Sequence, residues 1–301
     1  MSRTKSGRVA SVLARLRNLA CEHGVVYNEI LARYAIERIL RKLQLSRFGK
    51  MFILKGGMMS VVWGRGFNYR PTMDVDLEFR GRLDEGKARE MFVEIAGTES
   101  GDDLEVDAGS VTAATIRDGD EYGGFRVTMT AHLGKVRLPV QIDIGIGDAI
   151  TPAAKMDEFP VLLDCEAPMI RVYSRETAMA EKLQTIVRRG HANSRMKDYF
   201  DLYMLSRDEM VDGKTLKNAV ARTFERRRTE LPVGRIPDGL SEEFAANKAK
   251  QAQWDRFIKK NRLNDAGLSL SAAVRHIREY LSSLGVVCLC LMLDARACGL
   301  V

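Results

Sequence analysis

The chain has 301 residues, of which 46% are hydrophobic and 29% charged, a balance that suits a folded protein of about two domains and excludes a disordered or low-complexity chain. No stretch reaches the roughly 20 apolar residues of a membrane-spanning helix, and the basic start lacks the apolar block and cleavage site of a secretory signal, which points to a cytoplasmic protein with no membrane partner. The formal net charge of +7 is unevenly spread: residues 1–50 hold 11 basic and 3 acidic side chains, whereas residues 71–170 hold 9 basic and 21 acidic ones.

Residues 1–50 repeat apolar side chains at helical spacing, first Leu13, Leu16 and Leu19, then Ile30, Leu31, Tyr34, Ala35, Ile39 and Leu40, with Gly24 between the two runs. The apolar run Met51–Leu54 then enters Lys55-Gly56-Gly57, which predicts a buried strand, a glycine turn and a helix from Met58 to Trp63. From Pro71 the period becomes two. Asp74-Val-Asp76-Leu-Glu78-Phe79 predicts a strand with its apolar residues on the core and its carboxylates on the opposite face. Residues 81–96 read as a helix, and 97–125 as turns and edge strands. Val127–Leu133 and Val136–Ile144 read as a hairpin turning near Gly134. After Pro152 the strand pattern fades. Helices are predicted over 174–189, with Ser174 as cap, then over 196–206, 214–228 and through 241–283, with 235–239 as a connector. The expected organisation is basic helices at 1–50, an α/β core at 51–150, a helical part at 151–284 and an apolar tail at 285–301. Of the five cysteines, Cys288, Cys290 and Cys298 fall in that tail without a fourth zinc ligand nearby, so they read as thiols of an apolar segment.

Three features carry chemistry. Glycines at 56 and 57 let the backbone approach a phosphate, and a helix start after them offers free N–H groups, although a double glycine is also an ordinary turn. Asp74 and Asp76, two residues apart on a strand, point the same way and can hold divalent cations; alone they fit an exposed strand face as well. Asp143 is an acid at the outward position of the apolar strand Val140–Ile144. If that strand lies beside Asp74–Phe79, three carboxylates meet and need cations between them. Among the later helices, Lys182 can reach a triphosphate as a point charge or form a surface pair with Glu181. Asp198 and Asp201 share a helix face with Lys197, on a helix whose remaining residues look buried.

Glycine turn, paired aspartates and a third aspartate on a later strand occur in the order of the DNA polymerase β-like nucleotidyltransferases. More specifically, Phe52-Ile-Leu-Lys-Gly-Gly57, Arg70-Pro-Thr-Met-Asp74-Val-Asp76, Gln141-Ile-Asp143-Ile-Gly-Ile-Gly-Asp148, Tyr173–Leu183 and Asn193–Tyr203 resemble the AbiEii/AbiGii toxin family, in the family's order, over about residues 10–230. The resemblance implies an α/β (α+β) mixed-sheet nucleotidyltransferase core, with an N-terminal helical segment and a helical C-terminal half that carries further catalytic residues. It implies an NTP substrate, a separate antitoxin protein and a role in phage defence. It assigns Lys182 to phosphate binding, and Asp201 first, Asp198 second, to a catalytic or nucleotide-orienting acid. It also brings Lys55, Gly56, Gly57, Arg70 and Thr72 to the nucleotide. Two departures stand out. Met58 takes the place of the serine that many members have after the turn, and Thr72 replaces a serine of some relatives.

The expected activity follows: Asp74, Asp76 and Asp143 hold Mg²⁺ (or Mn²⁺), and a nucleoside monophosphate passes from an NTP to an acceptor. Resemblance and charge together point to the 3′ end of tRNA, or another RNA, as that acceptor. The rivals are a protein or small-molecule hydroxyl as acceptor, and an NTP- or RNA-binding module without turnover.

Overall fold

A computed structural model describes residues 5–64, 72–116, 123–232, 234–263 and 267–287. Arg70, Cys288, Cys290 and Cys298 therefore lie outside the described residues. The chain divides into two compact units, one of residues up to 148 with 154–173, the other of 149–153 with the chain from 174 onward.

The first unit opens with α1 (Lys5–Glu22) and α2 (Tyr27–Leu45), separated at Gly24, whose φ of 63° suits a residue without a Cβ. A seven-stranded sheet follows: β1 (Phe52–Lys55), β2 (Val75–Phe79), β3 (Leu104–Ile116), β4 (Gly124–Leu133), β5 (Val136–Ile146), β6 (Lys155–Glu158) and β7 (Met169–Val172). A 3-10 turn (Gly56–Met58) and the five-residue α3 (Met59–Trp63) follow β1, and α4 (Glu85–Gly97) follows β2. The strand order is β3-β4-β5-β2-β1-β7-β6. β2 pairs with β5 and β1 with β7 in parallel, and the other pairs are antiparallel, so the sheet is mixed as expected.

Alternation decides which face is core. Val75, Leu77 and Phe79 of β2, and Leu138, Val140, Ile142 and Ile144 of β5, are buried. Phe79 lies 5.1 Å from Phe52, ring to ring, and Phe52 lies 5.7 Å from Phe92 of α4. Asp84 caps α4 by accepting from the Lys87 N–H at 2.8 Å.

Two segments differ from expectation. The strand pattern continues beyond Pro152, because β6 and β7 extend the sheet. All four β6 residues are exposed, so no apolar alternation marks that strand. Residues 104–116 form a single long edge strand, whose register shifts between Asp107 and Thr112.

The second unit is helical: α5 (Arg175–Arg189), α6 (Met196–Leu205), α7 (Gly213–Arg226), α8 (Glu242–Ala246), α9 (Lys248–Lys260) and α10 (Leu270–Ser283). Ser174 caps α5, accepting from the Thr177 N–H at 3.1 Å. Ser241, Asn247 and Ser269 cap α8, α9 and α10, which divides the helical stretch 241–283 into three. Tyr199 stacks on Phe244 at 5.2 Å, and Phe200 packs against Trp254 and Phe257. Among the described residues no helix is long and apolar enough to cross a membrane.

Candidate active site

β1, β2, β5 and β4 are consecutive neighbours in the sheet, and their pairing sets four charged residues in one row. Lys55 pairs with Asp76, Asp76 with Asp143, and Asp143 with Arg126. Residues opposite one another point to the same face, and neighbouring strands lie ~4.8 Å apart. The row therefore reads cation, carboxylate, carboxylate, cation. Asp74, just before β2 and exposed, adds a third carboxylate and makes no hydrogen bond or ion pair among the described residues.

Each end of the row is held differently. The Lys55 ammonium donates to Glu78 Oε2 at 2.9 Å and to Asp148 Oδ2 at 2.7 Å. Glu78 is fully buried, and its other oxygen accepts the Asp148 backbone N–H at 2.7 Å. A buried charge needs such partners, and removing one member of such a group costs about 3–5 kcal/mol. Gly145 makes room for this network: a Cβ there would stand 2.5 Å from Lys55 Nζ and 2.9 Å from Glu78 Oε2. Strand alternation places Glu78 on the outward face with Asp76, but the covering chain and Lys55 bury it. The ammonium that the sequence suggests for phosphate is engaged by these two acids.

At the other end, Arg126 grips Asp143 with both arms of its guanidinium, Nε to Oδ1 at 2.8 Å and Nη2 to Oδ2 at 2.8 Å. The bond to Asp143, with the nearby charges of Asp74 and Asp76, raises the guanidinium pKa above its ordinary value. The glycine turn sits against the row's centre. Gly56 has φ of 69°, and a Cβ on it would lie 1.9 Å from Asp76 Oδ2. The close approach that demands a glycine is thus that of the Asp76 carboxylate.

The second unit holds the other cluster. Lys182 of α5 donates to Asp201 Oδ2 at 2.8 Å and lies 3.9 Å from Asp198 Oδ1. Arg195 Nε donates to Asp198 Oδ2 at 2.8 Å. Both aspartates are buried, so α6 keeps two carboxylates inside only because two cations meet them. The i,i+4 spacing suggests Lys197 as a partner for Asp201, yet Lys197 is exposed and the ammonium comes from α5.

The family model described as nucleotidyl transferase AbiEii toxin, type IV TA system, matches residues 38–278. The chain belongs to the AbiEii family. It is a nucleotidyltransferase, and membership brings an NTP substrate and an antitoxin partner. The solved structures agree on the fold. A proposed nucleotidyltransferase from H. pylori is 14% identical with a TM-score of 0.50, over 86% of this chain and 96% of that one. JHP933 from Helicobacter pylori is likewise 14% identical with a TM-score of 0.50, over 85% and 91%. No curated protein matches the chain.

Nucleotidyltransferases of this kind generally use a divalent metal. Three aspartates offer the hard oxygen donors such an ion prefers, and Arg126 already places a positive charge where an ion would be attracted. The residues therefore fit a cation. Among the described residues no three His, Cys, Asp or Glu side chains form a ready metal-holding group, and Asp143 is turned into the Arg126 fork. Sequence reasoning missed Arg126, Glu78, Gly145 and Arg195. Arg126 had a signal: a two-residue turn at Gly134-Lys135 sets the hairpin register, and that register puts Arg126 opposite Asp143.

Proposed function

We propose that this AbiEii nucleotidyltransferase is a cytoplasmic toxin that uses Mg²⁺, or Mn²⁺, to move a nucleoside monophosphate from an NTP to the 3′ end of tRNA, and so blocks translation. The observation that carries this reading is the charge row, in which two carboxylates on adjacent strands, with Asp74 beside them, share one face. Bound there, a divalent ion supplies charge neutralisation for the triphosphate and for the leaving group. Asp74 and Asp76 hold it, and Asp143 adds the third carboxylate or takes the acceptor's proton. The acceptor oxygen attacks the α-phosphorus, the α–β phosphoanhydride bond breaks, and pyrophosphate leaves. Gly56 and Gly57 give the nucleotide close access to backbone, with Thr72 and Arg70 as further nucleotide contacts. Lys182 serves as a phosphate-binding cation, Asp201 as a catalytic acid and Asp198 as its nucleotide-orienting neighbour.

Charge supports an RNA acceptor, with one adjustment. Three of the four cations of α1 are committed to acids, Lys5 to Glu105, Arg8 to Asp103 and Arg15 to Asp164, while Arg17 lies over the Tyr27 ring. Most cations of the α9 region are not committed; Lys250, which donates to the Asn193 carbonyl, is the exception. Lys248, Arg256, Lys259, Lys260 and Arg262 are exposed and have no acidic partner among the described residues. A run of unneutralised cations suits a phosphate backbone.

The test is incubation of purified protein with Mg²⁺, each α-³²P-labelled NTP and total tRNA, beside an Asp74→Ala/Asp76→Ala variant. Label on tRNA with the wild type alone is expected, and it names the base. Pyrophosphate release only when a protein or small-molecule extract is added moves the acceptor there. Tight NTP or RNA binding without turnover overturns the transfer reading.

A further inference from the structure

Two cations flank the carboxylate pair, and they are built for different fates. Lys55 is 12% exposed and wedged between the buried Glu78 and the half-buried Asp148, so leaving would strand a fully buried carboxylate. Arg126 is 44% exposed, on the neighbouring strand β4, with water available to its guanidinium on release. Its only described acidic contact is Asp143. The fork occupies both oxygens of that carboxylate, and a divalent ion would use the same oxygens. Without a counter-charge, Asp74, Asp76 and Asp143 would repel one another across adjacent positions of one sheet face.

We propose that Arg126 is an internal stand-in for the metal at Asp143: guanidinium and divalent cation compete for one carboxylate, and metal loading releases the arginine. Arg126 is thereby a positioning residue. It holds the cluster in place before the ion arrives and sets the concentration at which the ion takes Asp143. The inference rests on the reading of Asp143 as part of the metal site.

The measurement is Mn²⁺ binding to the full chain, followed by the loss of the free-ion EPR signal, for wild type, Arg126→Gln, Arg126→Lys, Asp143→Asn and the Arg126→Gln/Asp143→Asn double variant. Competition predicts that Arg126→Gln binds Mn²⁺ several-fold tighter than wild type, while its metal-free form melts at a lower temperature. Arg126→Lys keeps the charge without the fork and is expected to bind tighter than wild type as well. With Asp143→Asn in the background, the gain from Arg126→Gln is expected to vanish. Equal or weaker Mn²⁺ binding by Arg126→Gln overturns the proposal. So does the same gain in the Asp143→Asn background, or Arg126→Lys binding like wild type, since either shows a long-range field in place of a shared ligand. Absence of Mn²⁺ binding by all the proteins overturns it too. Failure to label any acceptor, with the competition pattern intact, removes the transfer reading and leaves this one standing.

Discussion

A single missing methyl group decides much of the chemistry at Gly56. Its positive φ costs any other residue about 1–2 kcal/mol, and its Cβ position is already taken by the Asp76 carboxylate. Gly56→Ala is therefore expected to reduce both stability and nucleotidyl transfer. Gly24→Ala makes the control, because Gly24 has nearly the same φ but nothing within 4 Å of its Cβ position. If the two variants drop equally in melting temperature and both keep activity, the approach of Asp76 to Gly56 has no role. The sequence suggests a glycine here for access to a phosphate. The neighbour that demands it comes from a different strand, β2, and no local pattern announces that.

Among the elements, α2 is the least ordinary. An amphipathic helix buries one stripe, whereas this one buries Arg33, Glu37, Arg38, Arg41 and Lys42 together with its apolar residues. Four of these charges have work on the chain between β6 and β7, while Lys42 donates to the Thr98 carbonyl. Arg33 donates to the Pro160 carbonyl at 2.5 Å, Glu37 accepts the Leu162 N–H at 3.1 Å, Arg38 reaches the Glu166 carbonyl and Arg41 pairs with the Glu166 carboxylate. Burial pushes the Glu37 carboxyl up to about 7, with Arg33 pulling the other way. A carboxyl whose folded pKa lies above its unfolded one binds more protons when folded. Its contribution to stability is thus fully present below the unfolded value of 4.5 and is lost as pH rises to about 7. Melting curves from pH 5 to 8 are expected to fall for the wild type, and to flatten over that window for Glu37→Gln. Parallel curves for the two proteins would dismiss Glu37 as the source. Sequence periodicity found α2, since its apolar positions recur correctly. It could not find the partners of these helix charges, which lie about 125 residues further along the chain.

Over the whole molecule, charge is sorted by unit. The acidic stretch 71–170 falls almost wholly in the sheet-bearing unit, where it also neutralises Lys5, Arg8 and Arg15 of α1; the unpartnered cations of the α9 region belong to the helical unit. If α9 meets an RNA backbone, tRNA affinity falls with salt, and the slope of log K against log salt becomes shallower by about 1 for each phosphate the protein no longer touches. Filter binding of tRNA to the triple variant Arg256→Ala/Lys259→Ala/Lys260→Ala is expected to show weaker binding and a shallower slope. Changes at Lys5 and Arg8 are expected to leave the slope nearly as it was, and the reverse result would move the RNA to α1. The sequence alone determined most of the element types, though not β6 and β7, the outward carboxylates Asp76 and Asp143, and the family, because alternation, helical spacing and motif order are local properties of the chain. Only the tertiary structure decided which charges cancel. Strand order brings Asp76 beside Asp143 and Arg126 onto it, burial sends Lys55 to Glu78, and helix packing gives Asp201 its lysine from α5. An ion pair depends on distance in space, and distance along the chain does not carry it.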